Sequence, residues 1–133
     1  MALITKATNC GFDGHSVQKG VVISGILAGE ALSKLDSVYI KGADGKAYKT
    51  ITSASAVDGS SAYMGFVFAD TASGQPCDIV KHATASYSTG LTPGALFYVS
   101  GSAAILSDAD LSGSTVVENP IAQAITSTEI YIM

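Results

Sequence analysis

The sequence contains no tryptophan and no arginine, and only 14% of its 133 residues are charged. Arginine is the usual bidentate partner of phosphate and carboxylate groups, so its absence argues against sites built on that recognition. The seven basic residues are all lysines and face eleven acidic residues, giving a net charge of −4. Nucleic-acid-binding proteins carry the opposite balance. We therefore expect no nucleic-acid partner.

Long apolar runs are also missing. No stretch approaches the ~20 residues that cross a bilayer, and no apolar segment follows Lys6 as it would in a secretory signal peptide. We expect a soluble protein, made in the cytoplasm, with no membrane partner. Cysteine is scarce as well, and in a chain without an export signal Cys10 and Cys77 are expected to be free, buried thiols rather than a disulfide.

The residues that are abundant favour a single β domain. Ala, Ser, Gly and Thr make up nearly half of the chain, and 47% of it is hydrophobic, which suffices for one buried core. Val38 and Ile40 alternate with Tyr39 and Lys41, the period of a half-buried strand. Further strands are predicted at 63–69, 77–82, 95–99 and 129–133, and the runs at 63–69 and 95–99 are apolar enough for strands covered on both faces.

Glycine-containing turns separate these strands. Asp44-Gly45 lies between two β-rich segments and predicts a hairpin over Gly42–Lys46. Ile26–Leu35 carries a helical stripe of leucines, but Gly25 and Gly29 weaken it, so turn and short strand is the preferred reading and helix the alternative. A second helical turn is possible near Asp108–Leu111.

The sequence also contains a weak internal repeat. Residues 38–42 align with 97–101 at an offset of 59, and 64–68 align more loosely with 121–125 at an offset of 57. Each half would then be a hairpin plus one returning strand, which cannot bury both sides of its own sheet. This arrangement favours a compact β-barrel or β-sandwich of short antiparallel strands. Chance similarity between two hairpins remains the alternative.

Candidate catalytic residues are few because the chain has only two histidines, His15 and His82. Asp78 and His82 share a face of a predicted strand, but a rise of about 3.3 Å per residue holds them about 13 Å apart. No Gly-x-Ser-x-Gly elbow accompanies the many serines. We predict no catalytic residue and no enzyme activity.

Candidate binding sites for metals, phosphate and bases are equally weak. Cys10, His15, Cys77 and His82 have spacings unlike those of a zinc site, and Asp70, Asp108 and Asp110 lack the rest of a calcium loop. Gly42–Lys46 lacks the spacing of a phosphate loop. The six tyrosines alternate with core positions and are expected to pack at sheet faces or subunit contacts. We predict no metal ligand and no cofactor.

Several segments together resemble a small β module of tailed-bacteriophage virion proteins. The first of them reads Ala-Gly-Glu-Ala-Leu at 28–32. Further segments resemble the module in the order and spacing of their Gly and aromatic residues, at 36–40, 44–49, 65–69, 74–80, 90–100 and 120–130. The resemblance covers about residues 20–133. The module occurs in capsid decoration (cement) proteins and in phage fibres, and neither role brings enzymatic residues with it.

The resemblance implies a structural virion protein on the outer capsid surface that stabilises contacts between capsid subunits. Its expected partners are the major capsid protein and two further copies in a homotrimer. Residues 1–12 depart from the module and are expected to form an extended N-terminal arm, with 13–133 as the single β domain. The alternative is a fibre or receptor-binding module. A cellular β-sandwich binding domain and an enzyme are the remaining classes.

Overall fold

The computed structural model describes residues 3–50, 63–100, 103–108 and 120–133, with the backbone alone for His15 and Ser16. This part of the chain contains one helical turn, α1 (Gly14–Val17), and twelve strands. The strands are β1 (Leu3–Ile4), β2 (Gly11–Phe12), β3 (Val21–Leu27), β4 (Ser37–Ile40), β5 (Ala47–Lys49), β6 (Tyr63–Val67), β7 (Pro76–Lys81), β8 (Thr84–Ser86), β9 (Leu96–Val99), β10 (Leu106–Ser107), β11 (Ala122–Ala124) and β12 (Glu129–Ile132).

The strands form two antiparallel sheets that pack together. The larger sheet has the order β1-β10-β9-β11-β12-β8-β2, and the smaller sheet has the order β3-β7-β6-β4-β5. The prediction of an all-β fold is confirmed, and of its two forms the structure adopts the sandwich rather than a closed barrel. The segment Ile26–Leu35 begins as the end of β3 and continues as turns, so the helical alternative is wrong. The proposed helical turn at Asp108–Leu111 extends beyond the described residues.

The hairpin between β4 and β5 lies where Asp44-Gly45 predicts it. Gly45 has a φ of 70°, a conformation that glycine adopts at little cost. The Asp44 carboxylate accepts hydrogen bonds from the Tyr48 hydroxyl at 2.6 Å and from the Lys46 amide at 3.0 Å. These two bonds lower the pKa of Asp44, and the bond from Tyr48 has the larger effect. They hold the carboxylate in the turn.

The internal repeat indicated by the sequence is present in the topology. Repeat 1 consists of β3–β7 and repeat 2 of β8–β12. In each repeat the second and third strands form a hairpin, the fourth pairs with the second, and the fifth pairs with both the fourth and the first. Each half thus contains the predicted hairpin and returning strand, together with two further strands that the prediction did not include. The larger sheet is repeat 2 extended by β1 and β2 at its two ends.

The register repeats as well as the strand order. Val38 pairs with Gly65 as Phe97 pairs with Ala122, at the offsets of 59 and 57 that the sequence shows. The hairpins agree in the same way, because Tyr39 pairs with Tyr48 as Tyr98 pairs with Ser107. Strand pairing that keeps register across five strands is far more specific than similarity between two ordinary hairpins.

The loop before each hairpin is also repeated. Leu35 and Gly94 stand 59 residues apart, and both have positive φ, 63° and 88°. Each donates its amide to the fourth strand of its repeat at 2.8 Å, Leu35 to Val67 O and Gly94 to Ala124 O. Three residues before them, Leu32 and Leu91 are equivalent and both are buried. Each loop thus folds over its own sheet and contributes a buried leucine to the core.

Each sheet has an inner face, which carries its repeat's own core, and an opposite outer face. In repeat 1 the inner core includes Val38, Val67 and Ile79. The inner core of repeat 2 contains the equivalent residues and, in addition, Leu35 and Phe66 from repeat 1. Phe66 packs edge-on against Tyr87, with ring centroids 6.4 Å apart. The outer face of repeat 1 therefore covers the inner face of repeat 2.

The N-terminal segment predicted as an arm runs along this sandwich. β1 pairs with β10, and β2 pairs with β8, so the segment adds a short strand to each edge of repeat 2. Between the two strands, Cys10 is buried in the core of repeat 2 and the Ala7 amide donates to Tyr87 O at 2.8 Å. Contact of this segment with a partner stays a prediction.

One strand position tolerates no side chain. Gly65 has a φ of 151°, and a Cβ built there lies 2.8 Å from Val80 O and 2.7 Å from Ile79 Cγ2. We expect Gly65→Ala to lower the free energy of unfolding by about 2–4 kcal/mol, through backbone strain and crowding. Gly42→Ala, where nothing lies within 4 Å of the new Cβ, is the control and should change stability by less than about 0.5 kcal/mol. Urea unfolding measures both, and equal effects would contradict the assignment.

Burial of Tyr87 predicts sensitivity to alkali. Loss of solvation, with smaller contributions from Asp36 and Cys10, raises the pKa of Tyr87 far above its ordinary value. In the unfolded chain the Tyr87 hydroxyl ionises near pH 10, whereas in the folded chain it stays protonated. Its raised pKa therefore costs no folding stability below pH 10. Above it, stability should fall by about 1.4 kcal/mol per pH unit for this group.

Tyr87→Phe should remove that part of the alkaline decline. The Tyr87 hydroxyl has no hydrogen-bond partner among the described residues, so the change breaks no such bond. Urea titrations at pH 8 and pH 11 measure the difference. The same loss of stability in wild type and variant would show that Tyr87 does not control it.

Candidate interaction surface

The histidine and carboxylate considered for acid–base chemistry lie in an ordinary strand context. Asp78 is exposed on β7, and His82 follows the strand with a φ of 58°. The imidazole of His82 lies beside Tyr131 with the two rings tilted by 36°, their centroids 6.4 Å apart and His82 Nδ1 3.4 Å from the Tyr131 hydroxyl. These contacts hold the histidine against the outer face of the larger sheet.

The two cysteines lie in different cores. Cys10 is in the core of repeat 2 and Cys77 in that of repeat 1, and both are free and buried, as the sequence predicts. Burial and the Asp78 carboxylate raise the pKa of Cys77, whose thiol donates to Ile26 O at 3.2 Å. Over the described residues, no three His, Cys, Asp or Glu side chains gather in a group able to hold a metal ion.

The acidic residues considered for calcium are held in part by backbone contacts. Asp70 accepts a hydrogen bond from the Lys34 amide at 2.8 Å, and Asp110 lies outside the described residues. The tyrosines mostly pack at sheet faces, as predicted. Tyr39 and Tyr87 are buried, and Tyr63 donates its hydroxyl to Met133 O at 2.9 Å. Tyr131 alone of the six is a large exposed side chain.

A partly buried ion pair fastens the N-terminal segment to repeat 1. The Lys6 ammonium contacts the Asp36 carboxylate and donates to Lys34 O at 2.8 Å. Asp36 also accepts the Ser33 amide at 2.8 Å and is almost fully buried. Phe12 adds a second contact, because its ring stacks on Phe68 at 5.7 Å. The segment that pairs with repeat 2 is thus bound to both repeats.

The free edge of the smaller sheet is the candidate interaction surface. We call it the β3 edge surface, and it comprises Val21, Val22 and Leu27 of β3 with Phe68 nearby. These side chains are 47%, 44%, 43% and 44% exposed. Val22 pairs across to Val80, Leu27 pairs to Pro76, and the Phe68 amide donates to Asp78 O at 3.0 Å. All of them therefore lie along β7 and its neighbours.

The other long sheet edges of the described chain are covered. β1 lies along β10 and β2 along β8. β5 is covered by residues 28–30, through a parallel bridge between Ala28 and Ala47 and a hydrogen bond from the Gly29 amide to Ala47 O at 2.9 Å. β3 has seven residues and no neighbour beyond it among the described strands. A long apolar edge strand is a ready template for pairing with another chain.

Sequence reasoning missed this surface. The segment 21–27 was not among the predicted strands, because Ser24-Gly25 interrupts its apolar run and places a bulge between Ile23 and Ile26. Three consecutive β-branched residues, Val21 to Ile23, were the available signal. Their exposure depends on which strand lies at the edge, which only the topology decides.

Comparison with known proteins leaves the family open. No family model matches this chain, and no match was found among the curated proteins. Over the described residues, no helix is long and apolar enough to cross a membrane. The assignment of function therefore depends on the surface just described.

The ion pair of Lys6 and Asp36 yields a prediction about the N-terminal segment. Lys6→Ala leaves a buried carboxylate without its cation, so we expect a loss of about 2–4 kcal/mol in the free energy of unfolding. Lys19→Ala, at an exposed lysine, is the matched control and should cost less than about 0.5 kcal/mol. Chemical denaturation measures both. A Lys6→Ala protein as stable as the control would mean that the segment is not held by this contact.

Proposed function

We propose that the protein is a structural component of a bacteriophage virion. It binds the outer surface of the capsid, bridges neighbouring subunits of the major capsid protein and stabilises their contacts, and it acts there as a homotrimer. The observation that carries this proposal is the β3 edge surface, a seven-residue strand edge with apolar side chains on it. An edge of this kind takes up an extended segment of a partner by adding it to the sheet.

The rest of the surface supports an adhesive role. Ser, Thr, Ala and Gly are abundant, and few long charged side chains are present. Small side chains lose little conformational entropy when a contact forms, which favours extended and permanent interfaces. The order of Gly and aromatic residues that resembles the phage module points in the same direction, and it is the reason for choosing a capsid as the partner.

The contacts of the N-terminal segment decide which variants can test capsid binding. Deleting residues 1–9 would remove β1 and the Lys6 contact together, so loss of capsid binding would not be separable from loss of stability. Substitutions on exposed side chains of β3 leave those contacts in place. They are therefore the better probe of capsid binding.

Co-sedimentation with expanded capsids that lack a decoration protein tests the proposal. Wild type should bind to saturation at a fixed number of copies per capsid and raise the temperature at which the capsid disassembles. Val22→Glu with Leu27→Glu places two charges on the β3 edge surface and should weaken binding at least tenfold. Ala43→Glu, which adds one charge at an exposed hairpin position, should bind as wild type does.

Two outcomes would overturn the proposal. The first is absence of wild-type binding to capsids at micromolar concentrations. The second is saturable binding to host cells or cell-surface glycans without binding to capsids, which would assign the chain to the fibre or receptor-binding class. Circular dichroism of the double variant confirms that it is folded before its binding is compared.

A further inference from the structure

The two repeats pack through unlike faces, the outer face of repeat 1 against the inner face of repeat 2. The outer face of repeat 1 carries a cross-strand row of Ser37, Phe66 and Val80, all fully buried. Phe66 enters the core of repeat 2 and meets Tyr87 there. This is a head-to-tail contact, because the outer face of one repeat covers the inner face of the other. Among the described residues, such a contact leaves the outer face of repeat 2 and part of the inner face of repeat 1 without a covering layer.

The uncovered outer face belongs to repeat 2. At the positions equivalent to Ser37, Phe66 and Val80, the larger sheet carries Leu96, Gln123 and Tyr131, paired across the strands in the same register. Leu96 is 37% exposed and Tyr131 is 36% exposed. The row that is buried between the repeats in one sheet is thus open to solvent in the other.

The incompletely covered inner face belongs to repeat 1. Ile23, Ile40 and Met64 pack against its core but remain partly exposed. Their equivalents in repeat 2 are Ala85, Val99 and Ile121, which are fully buried. Repeat 2 has the outer face of repeat 1 against it, and repeat 1 has no corresponding layer among the described residues.

We propose that a second copy of this chain supplies that layer. The outer face of repeat 2 in one copy packs on the inner face of repeat 1 in the next, repeating between chains the contact that exists within the chain. Each copy then offers one surface of each kind, so association is heterologous, and the homotrimer of the proposed function is the ring in which such contacts close. This contact specifies how the homotrimer of the proposed function is held together, and the inference rests on that proposal for the trimer. The contact itself forms without a capsid.

The polar groups on the outer face of repeat 2 are compatible with burial. The Gln123 amide donates to Gly94 O at 3.1 Å, and the Tyr131 hydroxyl lies 3.4 Å from His82 Nδ1. Polar groups that already have partners within the chain lose little when water is removed. The face also carries aliphatic and aromatic area at Leu96 and Tyr131, of the kind that forms the centre of interfaces.

Cysteine cross-linking tests the direction of the contact. One variant carries Leu96→Cys on the outer face of repeat 2, and the other carries Met64→Cys at the inner face of repeat 1. Native Cys10 and Cys77 are buried and remain in place. Mixed and treated with a short bismaleimide, the two variants should give a covalent dimer containing one chain of each, and neither variant alone should give one.

The control replaces the second thiol by one outside the proposed contact. Ala43→Cys lies in the exposed hairpin turn, and mixed with Leu96→Cys it should give no more dimer than either variant alone. Efficient cross-linking of Leu96→Cys with itself would show an isologous contact and overturn the proposal. So would equal yields from the Met64 and Ala43 mixtures.

Mass measurements in solution provide a second test that does not involve Met64. Wild type should form a discrete oligomer larger than a dimer, observed by sedimentation at micromolar concentrations without capsids. Leu96→Glu should raise the concentration needed for half-assembly at least tenfold, and Ala43→Glu should leave it unchanged. A wild-type protein that stays monomeric up to about 100 μM would overturn the inference while leaving capsid binding open.

Discussion

The insertion of Phe66 between the two sheets is the contact on which the sandwich depends. From the outer face of repeat 1 it enters the core of repeat 2, where Leu35 also lies, and meets the ring of Tyr87. Among the described strands, the layer over the inner face of repeat 2 is the sheet of repeat 1. A single two-sided strand, β6, therefore serves two cores, with Phe66 in one and Val67 in the other. The close approach at Gly65 is that of the neighbouring strand β7, whose Ile79 Cγ2 and Val80 O would lie within 2.8 Å of an added Cβ.

A duplicated strand pattern explains most of the remaining architecture. The shared order and register of β3–β7 and β8–β12 fix two similar units, and the differences between them reflect their neighbours. Where repeat 1 has Phe66 and Val80 against another layer, repeat 2 has Gln123 and Tyr131 toward solvent. The exposure of equivalent positions, and not their polarity alone, records which face is covered in the single chain, since buried Ser37 corresponds to exposed Leu96.

Local signals in the sequence predicted much of the fold. Asp44-Gly45 located the hairpin, and the offsets of 59 and 57 located a repeat that the strand register then confirmed. Prediction failed where the outcome depends on distant parts of the chain. The run 95–99 is apolar enough for a strand covered on both faces, yet Leu96 is exposed because no sheet of the described residues lies on its side. Lys6 and Asp36 are thirty residues apart in sequence, and nothing local pairs them.

The same limit applies to the candidate surface. Val21 to Ile23 had the composition of a buried strand, and the position of β3 at the end of its sheet made it an edge instead. The N-terminal segment 1–12 departs from the sequence pattern of the module, yet the described part of it pairs with the larger sheet. Its two-residue strands carry too little periodicity for their pairing partners to be read from the sequence.

The pairing of β1 and β2 has a consequence for the order of folding. These strands are synthesised before their partners β10 and β8, which belong to repeat 2, so the segment cannot reach its place until repeat 2 has left the ribosome. Contacts this distant in sequence form late, because the entropy of closing the intervening loop must be overcome first. Repeat 1 carries a core of its own and can form earlier. The N-terminal segment then binds last, and its contacts with both repeats join the two sheets after each has formed.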